Sequence, residues 1–285
     1  MRLRSIQIET TNRCNLKCPI CWGRDQVRPT GFMSMELFDK VIHEAKNLKY
    51  LGAVALHFNG ESTHHPQFPE MLRMVGRLGL PGVKYVTNGV NVPDEVLLAT
   101  VESGVTKVHI SDHGQGTKAV ETAQKLRALR AKYGKGPKIT VSVCWAGEDP
   151  AVMNTYYEKW RGVADSMALS GTIKDMRWTH LPHGYREDTF EWCHQPFRFA
   201  AVLWDGRVTV CCHDLQGVLA GGDVNKNTLQ STIHEPYFVD LREKLQHQTN
   251  PKGHLCTGCQ LWSPRYTFGV LSQPLPEDVP CGTET

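Results

Sequence analysis

Apolar and polar positions follow two alternating periods over roughly the first 180 residues. Short runs with β-branched residues and period-two alternation read as strands at Ser5–Thr10, Gly52–Phe58, Val83–Thr87, Thr106–Ser111, Lys138–Cys144 and Asp175–His180. Helical spacing lies between them. Met35–Leu48 sets Leu37, Phe38, Val41, Ile42, Ala45 and Leu48 along one stripe. Pro93 can open a second helix with Val96, Leu97 and Val101 inward and Gly104 at its end. Thr117 can cap a third, with Val120, Ala123, Leu126 and Leu129 on one face and Gly134 beyond. Repeated strand–helix units imply a parallel sheet, hence an α/β fold that is either doubly wound or an open partial barrel.

After about Tyr185 the pattern changes. Phe197–Trp204 and Arg207–Cys211 flank Asp205-Gly206, a hairpin turn signal. Gly221-Gly222 reads as a loop and Pro236–His247 as a helix, and the rest is rich in Pro, Gly and Cys. The tail has too few apolar residues for a core of its own, so a small metal-stapled module is expected. The expected division is a barrel over 1–185 and a module over 186–285.

Composition narrows the function. The chain has 285 residues, 40% hydrophobic and 21% charged, with a formal net charge of +3 and no long basic run. Those are ordinary globular proportions, without the basic footprint of a nucleic-acid binder. No apolar run approaches the ~20 residues of a bilayer span, and Met1–Arg4 leads into a strand without a signal pattern. A cytoplasmic protein with no membrane or nucleic-acid partner is expected. The 10 cysteines stand at 14, 18, 21, 144, 193, 211, 212, 256, 259 and 281. In a reducing compartment such clusters more often hold metal than disulfides, and this layout suggests two centres.

Cys14-Asn15-Leu16-Lys17-Cys18-Pro19-Ile20-Cys21 directly follows the first strand. Three thiolates on one short loop can take three corners of a cubane cluster and leave the fourth iron open to a ligand. Zinc would ordinarily take a fourth protein ligand, so a zinc knuckle closed by a distant His is the rival reading.

This loop resembles that of the radical S-adenosylmethionine (SAM) enzymes. The resemblance covers roughly residues 5–180 and implies a partial (β/α)6 TIM-like barrel, with Cys14, Cys18 and Cys21 holding a [4Fe-4S] cluster whose open iron chelates SAM. Reductive cleavage of SAM would then give methionine and a 5′-deoxyadenosyl radical that takes hydrogen from the substrate. Asn59-Gly60-Glu61-Ser62 is similar to the family's Gly-Gly-Glu-Pro segment, whose backbone and carboxylate receive the methionine amino group. Thr87-Asn88-Gly89 resembles a family turn, and Ser111 stands where a polar residue often meets the SAM ribose. The family's aromatic before the third cysteine is Ile20 here, and Trp22 becomes the candidate for the adenine contact.

Cys193, Gly206, Cys211, Cys256 and Cys259 are similar in spacing to the Twitch half of the SPASM extension, a small hairpin-plus-helix domain. That resemblance implies one auxiliary [4Fe-4S] cluster on Cys193, Cys211, Cys256 and Cys259, while a four-cysteine zinc site fits the same spacing. Neighbouring residues on a strand face opposite ways, so Cys212 competes with Cys211; the glycine spacing favours Cys211. Cys281 either covers the cluster or is a tail thiol.

Alternation in the strands turns Gln7, Glu9, His57, Asn59, His109, Ser111, Thr140, Ser142, Cys144, Arg177 and Thr179 into the barrel. A polar lining suggests a chamber for a hydroxylated or charged ligand. The compact layout resembles the 2-deoxy-scyllo-inosamine dehydrogenase type. That implies oxidation of an aminocyclitol- or sugar-like alcohol to a ketone in natural-product biosynthesis, with the auxiliary cluster accepting an electron. An external donor such as flavodoxin or ferredoxin is implied as well. Arg177 is the candidate substrate contact or a structural ion pair, Cys144 a hydrogen-atom donor or a small buried thiol, and Glu9 a catalytic carboxylate or a support for the cluster loop. Two rivals stand beside the dehydrogenase. One is a peptide maturase making a crosslink, thioether or epimer, although the first strand begins by Ser5 and no leader-binding domain is expected ahead of it. The other is a non-enzymatic zinc protein.

Overall fold

The computed structural model describes residues 2–19, 21, 23, 25–114, 116–145, 150–171, 193–247, 256 and 273–274, without the side chains of 144–145, 150–153, 168–171 and 273–274. Strand and helix alternate through the first part: β1 Ser5–Ile8, α1 Met35–Lys46, β2 Ala53–Ala55, α2 Phe68–Leu78, β3 Lys84–Thr87, α3 Asp94–Glu102, β4 Lys107–Asp112, α4 Lys118–Tyr133, β5 Lys138–Trp145, α5 Pro150–Trp160 and β6 Ser166–Gly171. The second part runs α6 Gln195–Arg198, β7 Phe199–Val202, β8 Arg207–Thr209, β9 Gly222–Asp223, α7 Leu229–Thr232 and α8 Pro236–His247, with β10 at Gln273–Pro274.

Among the described residues the strands form one open sheet in the order β10-β6-β5-β4-β3-β2-β1-β7-β8-β9. β1 to β6 pair in parallel. Alternation decides which side is dry. In β1, Ile6 and Ile8 are buried against the helices, and in β4 Val108 and Ile110 do the same. Their neighbours Gln7, Lys107, His109 and Ser111 are half-buried on the other, concave face.

Helix ends follow local chemistry. The Ser34 hydroxyl accepts from the Leu37 amide to cap α1. Gly79 and Gly134 end α2 and α4 in the left-handed conformation. Thr117 holds the cap position of α4, but its hydroxyl donates to Glu121 instead of accepting from the backbone.

Two expectations change. The sixth parallel strand is Ser166–Gly171, earlier than the Asp175–His180 expected from alternation, and that later segment lies outside the described residues. The C-terminal module is also not a self-contained staple. β7 pairs in parallel with β1, Gln7 against Ala201, and the β7–β8 turn holds Gly206 at φ 92. Val208, Leu229, Phe238 and Leu245 join the same hydrophobic core as Ile6 and Phe38, so apolar area that the tail lacks comes from the barrel. No helix among the described residues is long and apolar enough to cross a membrane.

Candidate active site

The cysteine loop leaves β1 and is drawn shut at its base. Thr11 pairs with Phe32 across an isolated bridge, and the Thr11 hydroxyl donates to the Gly31 carbonyl at 2.6 Å. Asn12 occupies the interior: its amide donates to Gln26 and the Pro29 carbonyl, and its oxygen accepts from the Gly31 N–H. Cys14 and Cys21 lie exposed and Cys18 half-buried, none of them in a disulfide.

Two neighbouring loops carry this one. After β2, Asn59 donates to Gln26 at 2.8 Å and receives the Gly60 N–H. Gly60 sits at φ 77, where a Cβ would stand 2.6 Å from the Asn12 carbonyl carbon, so only glycine admits this approach. Gly23 is crowded by a side chain instead, since a Cβ there would meet the Asn59 amide oxygen at 1.9 Å. After β3, Asn88 donates to the Asn15 side chain at 2.8 Å and to the Cys14 sulfur at 3.8 Å, while Asn15 donates to the Val90 carbonyl.

Glu61 is wholly buried, and its carboxylate accepts from the Thr63 amide and hydroxyl and from the Asn88 amide at 2.6 Å. Burial pushes its carboxyl up, opposed by those donors. In this arrangement the carboxylate ties the β2 and β3 loops together, and the exposed Gly60 backbone faces outward.

Glu9, expected as a catalytic carboxylate or a support for the cluster loop, has its carboxylate fully engaged. It is buried at the end of β1, both oxygens held by Arg28 at 3.0 and 2.6 Å, with the Trp204 amide donating as well. Arg28 continues to the Leu215 carbonyl, Val27 donates to Gln216, and the Trp204 ring donates to the Pro29 carbonyl. The strap 25–31 therefore links the first cysteine loop to the segment that follows Cys211 and Cys212. That segment is folded by buried Asp214, which accepts from Thr209, Val218 and Leu219. Arg28, Asn12 and Asp214 carry no motif, although Asp214 stands two residues beyond the Cys211-Cys212 pair.

Cys193 and Cys211 pack against the core in which Cys256 is buried. Cys259, Cys281, Trp22 and Arg177 lie outside the described residues. Cys144 belongs to β5, its backbone in register with Ser170, and its side chain lies outside the description. On the concave face, Ser111 stands in register with Ser142. Asp112 beside it turns to the helices and accepts from Lys159 and the Trp160 ring.

Residues 8–114 match the radical SAM superfamily model, and residues 193–260 match SPASM, an iron–sulfur cluster-binding domain. The chain carries a radical SAM domain followed by a SPASM domain. Stretches of the chain are similar to two curated proteins. One is the tungsten-containing aldehyde ferredoxin oxidoreductase cofactor-modifying protein of Pyrococcus furiosus, 33% identical over 38% of this chain and 30% of that protein. The other is the PqqA peptide cyclase of Streptomyces rochei, 33% identical over 48% of this chain and 39% of that protein. The chain thus spans about a third of these relatives' length. Among solved structures, BtrN in complex with AdoMet and 2-DOIA shares the fold with a TM-score of 0.59 at 18% identity, over 86% of this chain and 87% of that one. SuiB of Streptococcus suis bound to S-adenosylmethionine gives a TM-score of 0.68 at 12% identity, over 92% and 72%.

A radical SAM domain works with SAM and a [4Fe-4S] cluster, and a SPASM domain with auxiliary iron–sulfur clusters. The residues fit. Burial of its sulfur first, then the charges of Glu61, Cys21 and Cys18, push the Cys14 thiol up against the opposing Leu16 amide, and a positively charged group beside it would favour its thiolate. Among the described residues no three His, Cys, Asp or Glu side chains converge as they would on one metal ion. A cubane instead takes its thiolates at separate corners.

Proposed function

We propose that this protein is a radical SAM oxidoreductase that oxidises a small polar natural-product intermediate, an aminocyclitol- or sugar-like alcohol, to the ketone. The observation that carries this reading is the match in extent to BtrN, which covers 86% of this chain and 87% of that one and so includes both domains. When bound, SAM and its cluster supply a 5′-deoxyadenosyl radical for hydrogen abstraction, and the auxiliary cluster takes up one electron.

The chain's own residues hold, orient and enclose. Cys14, Cys18 and Cys21 would carry the first cluster, with Asn88 donating toward the Cys14 sulfur. Asn59, Gly60, Glu61, Ser111 and Trp22 would border SAM. Cys193, Cys211, Cys256 and Cys259 would carry the auxiliary cluster. The concave face of β1 to β6 would form the substrate chamber, with Arg177 as the candidate for substrate contact and Cys144 as a candidate hydrogen-atom donor. A cytoplasmic setting with a flavodoxin- or ferredoxin-like donor belongs to this proposal, as does the division near residue 185.

Anaerobic reconstitution tests it. About eight irons per chain, four for each cluster, and release of 5′-deoxyadenosine from SAM are expected. Replacing Cys256 and Cys259 with Ala should leave SAM cleavage intact and abolish product formation. A colourless protein holding zinc overturns the reading. The likeness to the PqqA peptide cyclase favours a second reading, peptide maturation, which a peptide product in place of a ketone would establish.

A further inference from the structure

On the concave face of the sheet, register matches three lysines. Lys84 of β3 pairs with Lys107 of β4, and Lys107 pairs with Lys138 of β5. Tyr85, Val108 and Ile139, the residues that follow them, are buried on the opposite, helix-covered face, so alternation turns the three lysines to the other side at the strand starts, Lys84 and Lys138 exposed and Lys107 half-buried. Adjacent strands lie about 4.8 Å apart, which sets three ammonium-bearing stems side by side. Like charges opposed in this way destabilise a sheet, and among the described residues no carboxylate offsets them.

Polar groups rise above this row. His57 and His109 stand next, with the Gln7 amide nitrogen 3.3 Å from His57 Nε2, and Thr140 is hydrogen-bonded to Ser166 at 3.0 Å. His57 Nδ1 is enclosed without a hydrogen-bond partner among the described residues, and a buried unpaired nitrogen costs free energy. The lysine charges are felt here: burial first, then Lys84 and His109, hold His57 far below its ordinary range. The cysteine loop closes the other end, where Asn88 meets Cys14. Lys84 precedes Asn88 by four residues, so the row and the point where the cysteine loop is met stand about 13 Å apart along the chain.

We infer that Lys84, Lys107 and Lys138 form an anion-binding floor in the substrate chamber, so that the molecule acted on carries a phosphate or carboxylate at the end away from its reacting carbon. The inference rests on reading the barrel interior as that chamber. It refines the substrate class: an aminocyclitol would set its ammonium against three others, whereas a phosphorylated or carboxylated polyol neutralises them. Charge-assisted hydrogen bonds to such an anion are the stronger kind.

The test is thermal unfolding of the anaerobically reconstituted protein with inorganic phosphate or malonate, against chloride at equal ionic strength. Both anions should raise the midpoint above the chloride control, phosphate more if the group is a phosphate ester and malonate more if it is a carboxylate. Lys107→Met and the exposed Lys84→Met should each weaken the apparent affinity about tenfold or more, as expected for loss of one charge-assisted bond. Lys125→Met, at an exposed pair with Asp94, should not. No shift in the wild type, or an undiminished shift in Lys84→Met, overturns the inference. The readout needs no SAM turnover, so failure of SAM cleavage would count against the proposed chemistry and leave the floor standing.

Discussion

Arg28 grips Glu9 with two guanidinium nitrogens, at 3.0 and 2.6 Å, where both side chains are almost wholly removed from water. Its third nitrogen reaches the Leu215 carbonyl at 2.7 Å. One side chain thereby joins the end of β1, the strap behind the first cysteine loop and the loop behind Cys211. Arg28→Met would strand a buried carboxylate, and removing one partner of such a pair costs about 3–5 kcal/mol. Arg28→Lys would keep the charge and lose the fork, and so should fall between. Urea midpoints of the three proteins give the order directly. Equal midpoints for wild type and Arg28→Met would show that the pair carries no stability.

Gly60 offers a second, local test. An alanine there would occupy φ 77 with its Cβ 2.6 Å from the Asn12 carbonyl carbon and 2.7 Å from the Arg13 carbonyl oxygen. The conformation alone costs about 1–2 kcal/mol, and backbone atoms cannot swing aside. Gly60→Ala should lower the unfolding midpoint and, by parting the β2 loop from the cysteine loop, reduce iron uptake on reconstitution. Gly104→Ala is the control, because it shares the strained φ of 68 with no atom within 4 Å. It should lose stability and retain its iron.

How far the sequence discloses this site depends on the range of the interactions. The first cysteine loop, the Asp205-Gly206 hairpin and the helix Pro236–His247 are written in consecutive residues, and the structure has them at those positions. β6 is not legible in this way. Its Ser-Met-Ala-Leu-Ser-Gly run is short and rich in small residues, and pairing with β5 makes it a strand. Glu61 matches its motif by position, yet the Asn88 and Thr63 donors that claim its carboxylate come from folding of the loops. Arg28 lies 19 residues from Glu9 and 187 from Leu215, and no local pattern announces either partner.

Asn88 should tune the first cluster. Its amide donates to the Cys14 sulfur at 3.8 Å and fixes Asn15 at 2.8 Å. Hydrogen bonds to cluster sulfurs raise the reduction potential. A net bond of about 1 kcal/mol corresponds to roughly 40 mV for one electron. Asn88→Ala should shift the potential of the Cys14 cluster negative by about that amount, as read by an EPR-monitored redox titration. The auxiliary cluster in the same sample is the internal reference. A shift shared by both clusters, or none, would mean that Asn88 only shapes the loop.

Acid sensitivity should come from the barrel interior. Burial, then Lys84 and His109, holds His57 at about 3; burial, then Lys107 and Lys84, holds His109 at about 4. The unfolded chain binds these protons near pH 6.5, while the folded chain leaves both rings neutral until far lower pH. Between about pH 6.5 and 4 the unfolded state therefore holds more protons, and stability falls as pH falls. The slope is at most about 1.4 kcal/mol per pH unit for each histidine, and less where water reaches the ring. His109→Gln should lose less stability than wild type between pH 7 and pH 5, measured as the difference in urea midpoints. Phosphate on the lysine floor would offset the neighbouring positive charge and flatten the wild-type slope. Parallel slopes for variant and wild type would instead place the acid-labile groups elsewhere.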